Sequence, residues 1–141
     1  MPAIRFTHNA FETRNLDAVL SFYRDLCAMR AVKDRVDATT GVRVVWLAPE
    51  DQDLPIFVVI EVDTLPEVER RRESTLRHFG FELASREAVD AKAREFAEAG
   101  YAVEGPLFVN DVVGYIFMVR DPDGRWVEFN AGQDVTPANW D

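Results

Sequence analysis

The hydrophobic residues in the first half of the chain follow strand spacing at some places and helix spacing at others. Residues 4–12 predict a β-strand, and Asn15 is suited to cap the helix that follows. The apolar residues of this helix recur three and four positions apart: Leu16, Val19, Leu20, Tyr23 and Leu26. Three stretches rich in valine and isoleucine then predict strands at 30–37, 42–48 and 56–62. The order is therefore β-α-β-β-β.

The second half repeats this order. Residues 76–83 predict a strand, and Ser85 is placed to cap a helix that ends at Gly100. The apolar face of this helix consists of Val89, Ala93 and Phe96. Further strands are predicted at 102–107, 114–119 and 126–130, and the turn sequence Asp-Pro-Asp-Gly joins the last two. The chain thus contains an internal repeat of one βαβββ module.

The repeat predicts how the chain is organised. The first module spans 1–62 and the second spans 76–130. The polar stretch at 63–75, which contains Pro66 and a run of charged residues, is predicted to be a linker, and 131–141 a C-terminal tail. Because 141 residues fit one ordinary domain, we expect a single α+β domain over 1–141.

The composition excludes several classes of partner. Apolar residues make up 48% of the chain and charged residues 29%, which is typical of a globular protein. The net charge of -9 opposes a phosphate-binding surface, so we expect no nucleic acid. No apolar run approaches the roughly 18 residues needed to span a bilayer. The N-terminus lacks a signal-like segment, and the single cysteine, Cys27, fits a reducing compartment, so we expect a cytoplasmic protein without a membrane partner.

Four residues stand at equivalent places in the two modules. His8 lies in the first predicted strand of its module and Glu61 in the last, while His78 and Glu128 occupy the matching strands of the second module at a similar separation. Glu61 interrupts an apolar strand whose two faces we expect to be covered. A carboxylate there needs a cation, a hydrogen-bonded partner or a proton.

Two imidazoles and two carboxylates would supply nitrogen and oxygen ligands for one divalent ion, such as Zn, Ni, Co, Mn or Fe. A structural alternative exists for each residue taken alone. A single strand histidine is usually a core or surface residue, and a single buried glutamate usually has an arginine partner. The repeat of all four positions favours the metal site.

The chain also resembles the vicinal oxygen chelate superfamily, which contains glyoxalase I, bleomycin-resistance proteins and extradiol dioxygenases. The resemblance covers nearly the whole chain. Its strongest motif is the closing segment 121–129, Asp-Pro-Asp-Gly-Arg-Trp-Val-Glu-Phe. The other segments that carry it are His8 with 15–17 and 21–26, the strand 59–62, and 77–79.

This resemblance implies a fold and a function. The two modules would form a curved, cup-shaped mixed sheet. Because sequential modules can pair within one chain or be exchanged between two, we also expect a homodimer with its sites at or near the interface. His8, Glu61, His78 and Glu128 would be the metal ligands, with Glu128 or Glu61 acting as general base. The metal would chelate two neighbouring oxygens of a small-molecule substrate, while the base moves a proton through an enediolate-like intermediate. The expected activity is that of a metal-dependent lyase or isomerase.

The substrate is not expected to be the glutathione hemithioacetal of glyoxalase I. Where that family has an arginine and an asparagine to bind glutathione, this chain has Glu12 and Leu65. The arginines at 70–72 are either cations for an acidic substrate or an ordinary solvated charge run. Two other functions remain open. One is an extradiol-type Fe(II) dioxygenase, and the other is a metal-free drug-binding protein of the bleomycin-resistance type.

Overall fold

A computed structural model describes residues 6–63 and 78–133 of the chain. The chain divides into two compact units, Met1–Glu69 and Arg70–Asp141. Most of the predicted linker, including the arginines at 70–72, and the tail from 134 onward lie outside the described residues. Neither helix of the described segments has the length and apolar character needed to cross a bilayer.

The first unit contains one helical segment and a four-stranded mixed sheet. Its strands lie in the order β1-β4-β3-β2; β1 runs parallel to β4, and the other pairs are antiparallel. In chain order the elements are β1 (Asn9–Thr13), α1 (Leu16–Leu20), a π-helical segment (Ser21–Leu26), β2 (Arg30–Val36), β3 (Arg43–Ala48) and β4 (Phe57–Glu61).

The second unit has the same topology. Its strand order is β5-β8-β7-β6, with β5 parallel to β8. The elements are β5 (His78–Glu82), α2 (Arg86–Glu98), β6 (Val103–Phe108), β7 (Tyr115–Arg120) and β8 (Trp126–Ala131). The predictions of an α+β fold and of two βαβββ modules are confirmed.

The first helical segment begins as predicted but does not remain an α-helix. The side chain of Asn15 accepts a hydrogen bond from the backbone N–H of Ala18, which caps α1. From Ser21 the backbone widens into a π-helix, and the N–H of Cys27 reaches back five residues to the carbonyl of Phe22. The wider turn allows the neighbours Phe22 and Tyr23 both to be buried. Regular helical spacing could not predict this change.

Helix α2 matches its prediction closely. The Ser85 hydroxyl accepts a hydrogen bond from the N–H of Ala88, and Gly100 follows the helix with φ of +94°. Phe96 is fully buried, and its ring centroid lies 5.2 Å from that of Phe129 and 5.9 Å from that of Phe117. Aromatic side chains thus join α2 to the sheet of its unit.

Each helical segment covers one face of its own sheet and leaves the other face uncovered. Because side chains alternate along a strand, Phe129 facing α2 means that Glu128 and Asn130 face away from it. In the first unit, Phe11 and Phe57 pack on Tyr23, so Val58 faces away from the helical segment. Only the side chains on the uncovered face of each sheet are available to line a site on that face.

We predict that Phe96→Ala lowers the free energy of unfolding by about 3–5 kcal/mol, because it leaves a cavity between α2 and the sheet. The matched control is Phe6→Ala, which removes the same atoms at a position that is 78% exposed and should change stability by no more than about 0.5 kcal/mol. Urea denaturation followed by circular dichroism measures both. Equal losses in the two variants would contradict this account of the core.

Candidate active site

His78 and Glu128 lie side by side on the face of the second sheet that α2 leaves uncovered. His78 pairs with Trp126, and Gly80 pairs with Glu128, across β5 and β8. The two candidate ligands therefore lie on neighbouring strands, two residues apart in register and on the same face of the sheet. Nε2 of His78 lies 3.9 Å from Oε1 of Glu128. The sequence prediction that these two residues meet agrees with this geometry.

The carboxylate of Glu128 is almost completely buried, with the residue only 6% exposed. Its Oε2 atom accepts hydrogen bonds from the amide of Asn130, at 3.0 Å, and from the amide of Gln133, at 3.2 Å. Its Oε1 atom faces His78. These two amides provide the hydrogen-bonded partners that a buried carboxylate requires.

A cavity of about 540 Å³ opens beside this pair. Its walls combine two carboxylates, one imidazole and two amides, and no lysine or arginine of the described segments lines it. The lining residues are His78, Gly80, Glu82, Val113, Glu128, Asn130 and Gln133. The site is therefore polar and anionic, which favours a bound cation.

A tight turn fixes the start of β8 and so the position of Glu128. The buried carboxylate of Asp121 accepts hydrogen bonds from the backbone N–H groups of Asp123 and Arg125, both at 2.9 Å. The Arg125 guanidinium also donates to the carboxylates of both aspartates. Burial acts to lower the pKa of Arg125, but these two carboxylates raise it above its ordinary value. The predicted Asp-Pro-Asp-Gly turn is confirmed.

His8 lies just before β1 rather than inside it, because this strand begins at Asn9 and not at residue 4 as predicted. Its ring is exposed, 5.6 Å from the ring of Trp46, and Nδ1 is within hydrogen-bond distance of the Thr7 hydroxyl. His8 lies seven residues before Asn15, which caps the first helix, and His78 lies seven residues before Ser85, which caps the second. His8 is thus the repeat counterpart of His78.

Glu61 is not the repeat counterpart of Glu128. Ala10 pairs with Val58 in the first unit as Gly80 pairs with Glu128 in the second, so Val58 occupies the equivalent position. Glu61 pairs with Thr13, five residues beyond His8, which corresponds to about 16 Å along a strand. It also lies on the sheet face opposite to that of His8, and it is partly exposed rather than buried as expected.

The charges around Glu61 agree with this placement. The pKa of Arg43 is raised above its usual value first by the hydrogen bond that Arg43 donates to Asp34, and further by the negative charges of Glu61 and of Asp17 in α1. Val44 pairs with Ile60 across the antiparallel strands β3 and β4, so the next position along them brings Arg43 opposite Glu61. A nearby arginine is what we expect of a strand glutamate that is not a metal ligand.

The structure therefore brings His78 and Glu128 together and separates Glu61 from His8. Inside each unit, the described segments contain no group of three or more histidine, cysteine, aspartate or glutamate residues arranged to hold a metal ion. Sequence reasoning missed Gly80, Glu82 and Asn130, although alternation along β5 and β8 from His78 and Glu128 would have found them. Gln133 follows β8 and has no such signal.

Comparisons with known proteins agree with the fold. The family model of the Glyoxalase/Bleomycin resistance protein/Dioxygenase superfamily matches residues 5–129. An uncharacterized protein of Pseudomonas aeruginosa is 37% identical over 133 residues, which are 94% of this chain and 92% of that protein.

Three solved structures show the same fold. The fosfomycin resistance protein FosX of Listeria monocytogenes has a TM-score of 0.71 and 18% identity over 94% of this chain and 96% of its own. A FosX variant, with a TM-score of 0.70, 19% identity and coverage of 94% of this chain and 95% of its own, was solved with Mn(II) and dihydroxypropylphosphonic acid. Glyoxalase I of Leishmania major, described as trypanothione-dependent, has a TM-score of 0.67 and 17% identity over 92% of this chain and 88% of its own. The chain therefore belongs to the Glyoxalase/Bleomycin resistance protein/Dioxygenase superfamily.

Proposed function

We propose that this protein is a divalent-metal-dependent lyase or isomerase that acts on a small molecule with two neighbouring oxygen atoms, and that Glu128 moves the proton. One observation carries the proposal: a nearly buried carboxylate faces an imidazole at 3.9 Å in the wall of a 540 Å³ cavity. Burying a carboxylate beside a ligand-sized cavity is costly for folding, and it supplies a positioned base or metal ligand.

The residues of this site fit a divalent cation. His78 offers an imidazole nitrogen and Glu128 a carboxylate oxygen, both of which Zn, Mn, Fe, Co and Ni accept as ligands. His8, the repeat counterpart of His78, is the third candidate. Glu61 pairs with Thr13 rather than with the position two residues beyond His8, so we do not include it as a fourth ligand. A bound cation would polarise the chelating oxygens of the substrate and acidify the adjacent C–H group.

The chain's own groups would then do the following. Oε1 of Glu128, which faces the cavity side of His78, accepts the proton from carbon and returns it to the neighbouring carbon. The anionic walls, Glu82 and Glu128, disfavour an acidic group close to the reacting centre.

The family relatives are compatible with this proposal. FosX was solved with Mn(II) and a diol, and a diol presents two neighbouring oxygens. The likeness to FosX and glyoxalase I is at the level of fold.

A second candidate function follows if Glu61 is not a ligand. Without Glu61 the remaining set of His8, His78 and Glu128 is two histidines and one carboxylate, the ligand type of non-haem Fe(II) oxygenases. An extradiol-type dioxygenase is therefore the alternative. Elemental analysis of protein purified without added metal distinguishes the two: iron favours the oxygenase, and zinc, nickel, cobalt or manganese favours the lyase or isomerase.

We predict that His78→Ala weakens Mn(II) binding by at least about tenfold, because it removes a direct ligand. His8→Ala should weaken it as well, whereas Glu61→Gln, the matched control on the helix side of its sheet, should leave it unchanged. Titration followed by the electron paramagnetic resonance signal of free Mn(II) measures all three. Loss of binding in Glu61→Gln equal to that in His78→Ala would restore Glu61 to the ligand set and reject our assignment.

We predict that Glu128→Gln slows proton transfer about 10²- to 10⁴-fold at saturating Mn(II), since glutamine keeps the shape and one oxygen but not the basicity. Its Mn(II) affinity should also fall by at least about tenfold, because the carboxylate is a proposed ligand. The measurement is exchange of the C–H protons of α-hydroxyketones in deuterated water, followed by NMR. Glu82→Gln, which neutralises the other carboxylate of the cavity, is the control and should retain most of the exchange rate. Undiminished exchange in Glu128→Gln would remove Glu128 from the role of base.

A further inference from the structure

We propose that Asn130 and Gln133 are positioning residues that hold Oε2 of Glu128, so that the carboxylate acts through Oε1 alone. This inference rests on the proposed function for the role of Glu128, and it concerns residues that neither the motif nor the repeat singles out. Of the two chemically equivalent oxygens of this carboxylate, Oε2 would be held by hydrogen bonds and Oε1 would act on the metal and the substrate.

The geometry assigns Oε2 as the hydrogen-bonded oxygen. The two amide nitrogens approach the same oxygen, Oε2, at 3.0 Å from Asn130 and 3.2 Å from Gln133. Asn130 is only 4% exposed and lies two residues after Glu128 on the same face of β8, so its backbone places it beside the carboxylate. Oε1 is directed to His78. An ionised carboxylate only accepts hydrogen bonds, and each amide has donors to offer.

Two donors on one oxygen restrain the carboxylate. Turning it about its last carbon–carbon bond would bring Oε1 to the amides and break both hydrogen bonds on the way, and hydrogen bonds to a charged acceptor are among the stronger ones in proteins. The restraint is stronger in a buried site because water does not replace the lost donors. Oε1 therefore keeps one position relative to His78 and the cavity.

Gly80 lies beside this arrangement. It pairs with Glu128 across β5 and β8, and a Cβ atom at this position would lie 3.4 Å from Oε2 and 3.8 Å from the amide nitrogen of Asn130. Both distances are ordinary van der Waals contacts, so alanine would fit at this position without displacing the hydrogen-bonded oxygen.

The first test is Mn(II) affinity in Asn130→Leu, which keeps the approximate shape but removes the donor. We expect the dissociation constant for Mn(II) to rise about tenfold, the size of effect typical for groups that orient a metal ligand. In a Glu128→Gln background the same substitution should change it less than about twofold, because its effect passes through the carboxylate. Met118→Leu, opposite Glu128 on β7, is the matched control and should stay within about twofold of the parent.

The second test needs no metal. The chain has two histidines, so the ring signals of His78 and His8 can be compared in one NMR spectrum, with His8 as the internal reference. Asn130→Leu should shift the His78 signals and leave those of His8 in place. Gln133→Leu, at a partly exposed position after β8, should do the same and keeps the test available if Asn130→Leu does not fold.

The outcomes separate the two proposals. Wild-type protein that binds no Mn(II) would overturn the metal dependence of the proposed function, while the His78 signals still decide the positioning role. Metal binding in the wild type with unchanged affinity and unchanged His78 signals in the variants would overturn the positioning role alone. An equal loss of affinity with and without the Glu128 carboxylate would show a merely structural effect and would also overturn it.

Discussion

The pairing of the first and last strands in each module is the constraint on which the site depends. In a parallel pair, a register shift of one residue moves a side chain to the other face of the sheet. A shift of two residues keeps the face but moves the side chain by almost 7 Å along the strand. In the second unit this pairing places an imidazole one row from a carboxylate. In the first unit the same pairing puts valine where the carboxylate would stand. The chemistry of the two modules therefore differs although their topology is the same.

The sequence predicted the features that depend on local interactions. Asn15 and Ser85 cap helices because their side chains accept backbone hydrogen bonds within one turn, and the Asp-Pro-Asp-Gly segment forms its turn for a similar local reason. The βαβββ order followed from spacing. The pair His78 and Glu128 was predictable because β8 carries polar residues at alternate positions, Glu128 and Asn130, and this alternation fixes the face.

The features that depend on long-range pairing were not predictable in the same way. The residues before Glu61 in β4 are uniformly apolar, so alternation cannot tell which face any of them occupies. The face is determined by the packing of Phe57 on Tyr23 and by the pairing of Thr13 with Glu61. The π-helical segment likewise follows from burying two neighbouring aromatic residues. The resemblance to the superfamily assigned Glu61 to a ligand position. The strand register instead pairs Glu61 with Thr13, five residues beyond His8.

The exchange of a carboxylate for Val58 has a consequence for how mutations should be read across this chain. Positions that correspond by internal symmetry have different surroundings here: Val58 is a buried apolar side chain, while Glu128 is a buried carboxylate that accepts hydrogen bonds from two amides. Transferring a residue's role from one half to the other by symmetry would therefore mislabel both positions. Variant effects in such duplicated proteins are better grouped by sheet face and register than by the place of a residue in the repeat.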